Sequence, residues 1–449
     1  MFTFNKLYNK QALYEAATSI VSKALLFPNK AKVMSYDEET LYNLSTHLPS
    51  HLDRLHKSLI NRQFEFAPLL LREVVLNEKK RRLFIARWLD KFVDAVLYRR
   101  LDSAFESVFY PHSYSFRIHS HRKGLQRAIK QTSSVLHSFP NSFYVVRRDI
   151  SSYFPSVDKN ILLTKISEFV NPEDYLFQLL KQRIEFNYVS ESVSHLTSLE
   201  TQTDSVGIPF GTAIAGWFAN LYLTKLDYEL AATQCKVIRY ADDYLVASED
   251  RAQIEQCIGI FSQGFSSLNV KSKPSHEQNI VYKGLPNDSI FKNVKQVDYL
   301  GIIFRDKKIL IGSRKIDKIK AIFKTVIDKK LHKRLKTKSI IERAEVGCLA
   351  VRKVFAGRQL GRQLTIDYFL ALITEEEQLQ ILDRWLIEYI MYAATGYKHW
   401  RLGNLKHCST KQLHNWGLIS LLHRSRLLRH NNLDTGLKTM LNHKSLLIK

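Results

Sequence analysis

The sequence predicts an α+β protein in which a mixed body is flanked by helical segments. Three observations carry that prediction. The chain is mostly helical in pattern up to about Val75. Short aromatic and β-branched runs then fall at Phe143 to Ile150 and Lys236 to Ala247, the composition of buried strands. From Ser313 to Lys449 the chain reads as all-helical and rich in Lys and Arg. The expected divisions are a helical N-terminal segment over 1–75, a mixed body over 76–312 and a basic helical region over 313–449.

In chain order, Leu59 to Leu71 closes the first helical stretch. The basic run Glu78-Lys79-Lys80-Arg81-Arg82 follows, then a helical segment from Arg87 to Phe105 and a loop from Phe109 to His121. Thr212 to Leu230 places Ile214, Trp217, Phe218, Leu221 and Leu226 at helical spacing, with Gly211 marking its start. Lys236 to Ala247 predicts two short apolar strands around Tyr240-Ala241-Asp242-Asp243. The polar stretches Ser190 to Ser205 and Lys271 to Ser289 predict surface loops. The sequence carries no internal repeat, low-complexity tract or Pro/Gly/Ser linker.

With 449 residues the chain is long enough for two or three domains. Sixty-seven Lys and Arg against 43 Asp and Glu give a formal net charge of +24. Such an excess draws in polyanions, and it also keeps a basic protein soluble; charge alone leaves both readings open. Cys235, Cys257, Cys348 and Cys408 have no CxxC spacing, which indicates neither a zinc site nor a disulfide framework. The apolar stretch Leu379 to Ala394 is interrupted by charges and is too short for a bilayer. A cytoplasmic protein without membrane association is the expectation.

The adjacent aspartates are the chemically telling feature. Val237-Ile238 before Asp242-Asp243 and Leu245-Val246 after the pair place it in a core segment, where neighbouring carboxylates repel and lose hydration. A divalent cation would reverse that cost; an Asx turn between strands is the plainer alternative. Asp149 closes the run Phe143 to Arg148, so a further carboxylate stands at a strand end. Oxygen ligands from two strands suit two Mg²⁺ ions, one acting on an attacking 3′-hydroxyl and the other on a triphosphate. Catalysis would then be alignment and charge stabilisation, in keeping with the lack of any Ser-His-Asp or Cys-His pattern.

At this point the residues resemble the reverse transcriptases. Tyr240-Ala241-Asp242-Asp243 resembles that family's YxDD box, and Asp149-Ile150 with Phe154 resembles its first palm motif. Gly207-Ile208-Pro209-Phe210-Gly211 followed by Phe218-Ala219-Asn220-Leu221 resembles the GxPxG and LAN elements. Phe109-Tyr110-Pro111 and Ser113-Tyr114-Ser115-Phe116-Arg117 resemble the fingers motif, Lys80-Arg81-Arg82-Leu83 the earlier basic block, and Tyr299-Leu300-Gly301 the primer-side turn. The blocks stand in family order from about Leu76 to Phe304.

The resemblance implies a right-hand polymerase of fingers, palm and thumb that makes DNA from dNTPs on an RNA template. It assigns catalysis to Asp149, Asp242 and Asp243, and metal coordination to these three with the Ile150 carbonyl. The ions are Mg²⁺, with Mn²⁺ as a substitute. Because successive strand side chains diverge, Asp243 is expected to be the less direct ligand. Lys80 and Arg81 are placed over the incoming triphosphate. The alternative of a solvated charge run stays open for Lys79, Lys80 and Arg82. Phe154 occupies the position that crowds a ribose 2′-hydroxyl.

Tyr114, Phe116 and Arg117, with Arg122 and Lys123 nearby, offer rings and cations to a single strand, or rings that pack under a loop. Gly207 and Gly211 let backbone approach the template closely. Lys271 and Lys273 lie near a family motif that carries a lysine, and surface lysines are the default reading for both. The basic helices from Ser313 suit a thumb that tracks phosphates, or a solvated helix face.

Two positions depart from the family pattern. Phe210 stands where Gln is common, and Ala215-Gly216 precedes the LAN element where small or Ser-Pro residues are common. A stacking or occluding role is expected for Phe210. The sequence shows no HNH-like Cys/His spacing, no VTG element and no SQ ending to the GxPxG region. It therefore most resembles the bacterial defence-associated, abortive-infection reverse transcriptases. That resemblance implies an RNA template or non-coding RNA and a DNA product, with a homo-oligomer or a second protein as partner. The alternatives are a mobile-element enzyme of retron or group II intron type, and an RNA-binding scaffold with an idle polymerase fold.

Overall fold

The computed structural model describes residues 1–26, 39–76, 79–118, 124–190, 201–284, 289–331, 338–355, 366–396 and 406–430. Arg122 and Lys123 lie outside the described residues, as do parts of the expected loops at 109–121 and 190–205. The fold is α+β. It divides into two compact units, Met1–Ala128 with Asn141–Asn293, and Ile129–Pro140 with Val294–Lys449. Among the described residues the strands are β1 (Leu69–Leu76), β2 (Lys79–Ile85), β3 (Phe143–Asp149), β4 (Asn187–Ser190), β5 (Gln202–Thr203), β6 (Lys236–Tyr240), β7 (Asp243–Ser248), β8 (Gln278–Tyr282), β9 (Lys292–Val294), β10 (Val297–Tyr299), β11 (Ile302–Arg305) and β12 (Lys308–Ile311).

Near its start the first unit carries the two longer helices α1 (Lys10–Leu25) and α2 (Leu48–Ile60), with short helical turns at Phe4–Leu7 and Leu41–Thr46. Asn9 caps α1 by accepting from the Ala12 N–H at 2.8 Å. Leu13, Ala16, Ala17 and Val21 of α1 form a buried stripe, as do Leu52, Leu55 and Leu59 of α2. These residues join one hydrophobic core with Val146 of β3 and Trp217, Phe218 and Leu221 of a later helix. Helix α3 (Trp88–Ala104) follows in this unit; most of α4 (Leu125–Ser138) belongs to the second unit, and α5 (Lys159–Ser167) and α6 (Tyr175–Ile184) return to the first.

A small sheet runs in the order β2-β1-β4-β5. β1 and β2 pair antiparallel from Leu70 opposite Ile85 to Leu76 opposite Lys79. The larger sheet runs β6-β7-β3-β8-β9. In it β3 is central, antiparallel to β7 on one side and to β8 on the other. Helices α7 (Ala215–Ala232) and α8 (Arg251–Ser267) pack on each other, α7 against β6 and α8 against β3 and β7.

In the second unit β10, β11 and β12 form an antiparallel meander. Helices α9 (Ser313–Leu331), α10 (Ile340–Phe355), α11 (Glu376–Thr395) and α12 (Leu421–His430) follow. α9 buries Ile319, Phe323, Val326 and Ile327, while Arg314, Lys318, Lys324, Lys329 and Lys330 lie exposed. Its Asp328 accepts from the Tyr389 hydroxyl of α11 at 2.8 Å.

Two local expectations differ from the structure. The helical pattern expected through Leu71 stops at Ile60, and Leu69 already begins β1. An apolar run this short has no period of its own to decide, and pairing with β2 and β4 settles it as strand. The polar stretch from Lys271 contains β8, which hydrogen-bonds to β3 despite opening on Gln278-Asn279.

Candidate active site

The site is built at one end of the larger sheet. β3 ends on Asp149 and β7 begins on Asp243, and antiparallel pairing sets these two directly opposite. Tyr240 of β6 also pairs with Asp243, so Ala241 and Asp242 form the hairpin tip. Ala241 takes a left-handed φ of 60° to close that tip. The Asp242 carboxyl lies against that of Asp149. Burial and this neighbouring carboxylate together push Asp242 up to about 7. Such a pair is the arrangement a cation relieves.

Asp243 is differently placed. Arg147 sits two residues before Asp149, on the same face of β3, and its Nη2 donates to both Asp243 oxygens at 3.2 and 3.3 Å. Burial pushes Asp243 up to about 6, while the Arg147 guanidinium holds it down. Part of its charge is thus already compensated within the protein.

Beyond Asp149 the chain keeps a short ladder with the segment after α8. Ser151 N–H donates to the Lys271 carbonyl and Lys273 N–H to the Asp149 carbonyl, each at 2.8 Å. The ladder brings Ile150 opposite Ser272 and delivers the Lys273 ammonium to Asp149 Oδ2 at 3.1 Å. His276 Nδ1 lies 2.9 Å from the same oxygen. Lys273, expected as a surface residue, is therefore a site residue. Its approach depends on an antiparallel register that the polar sequence around it does not announce.

A buried network sits beneath the tip. Arg239 donates to Asp227 through Nε at 2.8 Å and Nη2 at 2.6 Å. Its Nη1 reaches Asn220 Oδ1 at 3.1 Å and the Ala241 carbonyl at 3.0 Å. The Tyr244 hydroxyl completes the set by donating to Asp227 at 2.7 Å. Asn220 Nδ2 in turn donates to the Ser115 carbonyl at 2.9 Å. Sequence reasoning missed Arg147 and Arg239, although a charge inside an apolar strand is a signal, because it must find a partner. His276 gave no such signal.

The small sheet sorts the basic block by strand alternation. Arg82 stacks on Phe84 and Tyr188 and pairs with Asp204 at 2.8 Å, so it is committed to the sheet. Lys80, exposed, falls on the Arg82 side by the same period. Exposed Arg81 shares its face with Leu83, whose Cδ1 comes within 2.7 Å of where a Cβ on Gly211 would lie. Arg81 alone of these faces the Gly207 to Gly211 loop.

That loop is tightly held. Gly211 has φ 120°, and a Cβ there would meet the Phe84 carbonyl oxygen at 2.6 Å. Gly207 has φ 98°, and a Cβ would meet the Pro155 carbonyl oxygen at 3.0 Å. Both glycines thus serve close approach of protein backbone to protein backbone. Phe154, Phe116 and Phe210 are half-buried and in mutual ring contact around Phe154. Tyr114 is buried, its hydroxyl 3.0 Å from His112 Nδ1. Arg117 is buried over the Phe109 ring and bonded to Glu106. Neither side chain joins the aspartates.

Among the described residues no group of three or more His, Cys, Asp and Glu is placed to hold a metal ion. An open site with one or two carboxylates is what Mg²⁺ takes when substrate phosphates supply other ligands, so the donor set fits it. The sequence model of the family described as reverse transcriptase (RNA-dependent DNA polymerase) matches residues 75–304.

The chain belongs to the reverse transcriptase family. This reverse transcriptase is 25% identical over 179 residues to the "Uncharacterized 91 kDa protein in cob intron" of Schizosaccharomyces pombe, covering 39% of this chain and 20% of that protein. It is 23% identical over 181 residues to the "Putative COX1/OXI3 intron 2 protein" of Saccharomyces cerevisiae, covering 40% of this chain and 19% of that protein. The match spans about a fifth of each relative's length. Among solved structures, apo telomerase from Candida tropicalis aligns with a TM-score of 0.44 at 10% identity, covering 80% of this chain and 68% of that one. Telomerase from Candida albicans with a telomeric RNA fragment aligns with a TM-score of 0.42 at 12% identity, covering 83% and 67%.

Proposed function

We propose that this reverse transcriptase extends DNA on an RNA template through a two-Mg²⁺ site whose principal ligands are Asp149 and Asp242. The observation that carries the reading is the Asp242 carboxyl lying against Asp149, with its proton affinity raised by burial and by that neighbour. Two bound Mg²⁺ ions, or Mn²⁺ in their place, would supply a more acidic 3′-hydroxyl and neutralise the leaving pyrophosphate. Asp149 and Asp242 would hold the ions, with the Ile150 carbonyl as a further ligand. Asp243, compensated by Arg147, contributes less directly. Arg81 binds the triphosphate as a fork, while Lys80, on the opposite face of β2, adds only longer-range positive charge. Lys273 and His276 hold Asp149 in place, and the Lys273 ammonium brings positive charge to that side of the site. Phe154 excludes a ribose 2′-hydroxyl, with Phe116, Gly207, Phe210 and Gly211 shaping the wall around it.

Incubating the purified protein and its co-purifying RNA with dNTPs and Mg²⁺ tests this. Labelled DNA from the wild type and none from Asp242→Ala supports it. No product, or equal product from the variant, overturns it.

For the biological setting, the two named relatives, both intron proteins, favour an enzyme that copies the RNA of its own element. Antiviral defence with a non-coding RNA is the second setting, supported by the resemblance in motif pattern. Sequencing the co-purifying nucleic acid separates them: RNA transcribed from the element's own locus supports the first, a distinct structured RNA the second.

A further inference from the structure

Two positions at which this chain departs from the reverse transcriptase pattern, Phe210 and Gly216, lead to one side chain in the structure, Phe210 by direct ring contact and Gly216 through Phe116. That side chain is Phe154. The Phe210 ring lies 5.2 Å from it, centroid to centroid, at an interplanar angle of 72°. The Phe116 ring lies 5.8 Å away at 84°. Both contacts are edge-to-face, the preferred geometry for aromatic pairs.

Each flanking ring is locked by its own backbone. Phe116 has a left-handed φ of 54°, which a bulky residue adopts only when its surroundings impose it. Asn220 supplies part of that constraint, donating from Nδ2 to the Ser115 carbonyl at 2.9 Å and the Phe116 carbonyl at 3.5 Å. Gly216 supplies the room. A Cβ at that position would stand 2.9 Å from Cγ and Cδ1 of Phe116 and 3.0 Å from its Cβ. On the other side, the Phe84 N–H of β2 donates to the Phe210 carbonyl at 2.8 Å, and the Ile208 N–H donates to the Phe154 carbonyl at 2.9 Å. Phe154 is only half-buried, so without its neighbours its ring would be free to change rotamer.

We propose that Phe116 and Phe210 are positioning residues that lock the Phe154 ring, so that a three-ring bracket, and not Phe154 alone, sets sugar selection in this enzyme. The proposal rests on Phe154 being the residue that meets the sugar. A ring that can swing aside opens space for a 2′-hydroxyl; a ring held from both sides does not. Gly216 enters the bracket because it is what lets Phe116 reach Phe154.

The test is the ratio of kcat/KM for a dNTP to that for the matching rNTP, measured by primer extension on one template. Phe154→Val is expected to lower the ratio by on the order of a hundredfold. Phe116→Leu and Phe210→Leu, which keep apolar bulk but lose the ring, are each expected to lower it about two- to tenfold. Phe116→Tyr and Phe210→Tyr restore the ring and the ratio. Added to Phe154→Val, either Leu substitution is expected to produce no further fall, because the ring it positions is gone. A role confined to folding would reduce dNTP and rNTP rates together and leave the ratio unmoved, which overturns the proposal. If Phe154→Val shifts the ratio and neither Leu variant does, the bracket falls and the gate stands. If Phe154→Val itself leaves the ratio unchanged, the gate assignment falls and takes the bracket with it.

Discussion

Arg239 donates a hydrogen bond to the carbonyl of Ala241, 3.0 Å away, from inside a fully buried ion pair with Asp227. Ala241 is the left-handed residue of the hairpin tip that carries Asp242. The pair therefore fixes from below the height and direction of Asp242, the aspartate proposed as a principal metal ligand. Arg239→Ala would strand Asp227 without its charge partner, at a cost of about 3–5 kcal/mol. Thermal melting should show a Tm lower by about 10 °C. Arg239→Lys keeps the charge but loses the fork, so it should melt closer to wild type while kcat falls. A Lys variant with wild-type kcat would refute the positioning role.

Asp242 and Asp243 should respond unequally to the same change. Asp242→Asn removes the carboxylate that faces Asp149, and several kcal/mol of charge stabilisation corresponds to about a thousandfold in kcat. Asp243→Asn removes a group already paired with Arg147 and should cost clearly less. Single-turnover extension of a primed RNA would compare them. Chelation by EDTA should stop wild-type synthesis, and adding back Mg²⁺ or Mn²⁺ should restore it.

The two neighbouring arginines of β2 separate along lines of strand alternation. Arg81→Ala should raise KM for dNTPs about tenfold or more, the loss of a charge-assisted hydrogen bond to phosphate. Arg82→Ala should leave KM near wild type and lower Tm, since Arg82 is spent on Asp204 and on two aromatic faces. Equal KM effects from both would contradict the assignment.

Gly211→Ala should destabilise the loop by about 1–3 kcal/mol, because φ is 120° and the added carbon meets the Phe84 carbonyl. Limited proteolysis at Gly207 to Gly211 should become faster than in the wild type. An unchanged cleavage rate would show that the loop tolerates a side chain there.

The YxDD box, the strand ending on Asp149 and the helix that follows Gly211 were legible because each announces itself locally. A run of β-branched residues, a carboxylate pair among apolar neighbours, and a period near 3.6 are properties of a few consecutive residues. β8 was not legible, since Gln278-Asn279 looks like loop and becomes strand only by pairing with β3. Lys273 was likewise ambiguous until that pairing carried it to Asp149. Arg81 and Arg82 are identical in sequence terms, and only the face of β2 each occupies tells them apart.

The sequence by itself determined the family and the set of carboxylates, because motif order and residue chemistry are carried along the chain. Tertiary structure decided how those carboxylates differ: Asp242 faces Asp149, whereas Asp243 is answered by Arg147. It also brought the rings of Phe116 and Phe210 against that of Phe154. Those distinctions depend on which residues from distant segments come within a few ångströms, and burial and charge pairing act only at that range.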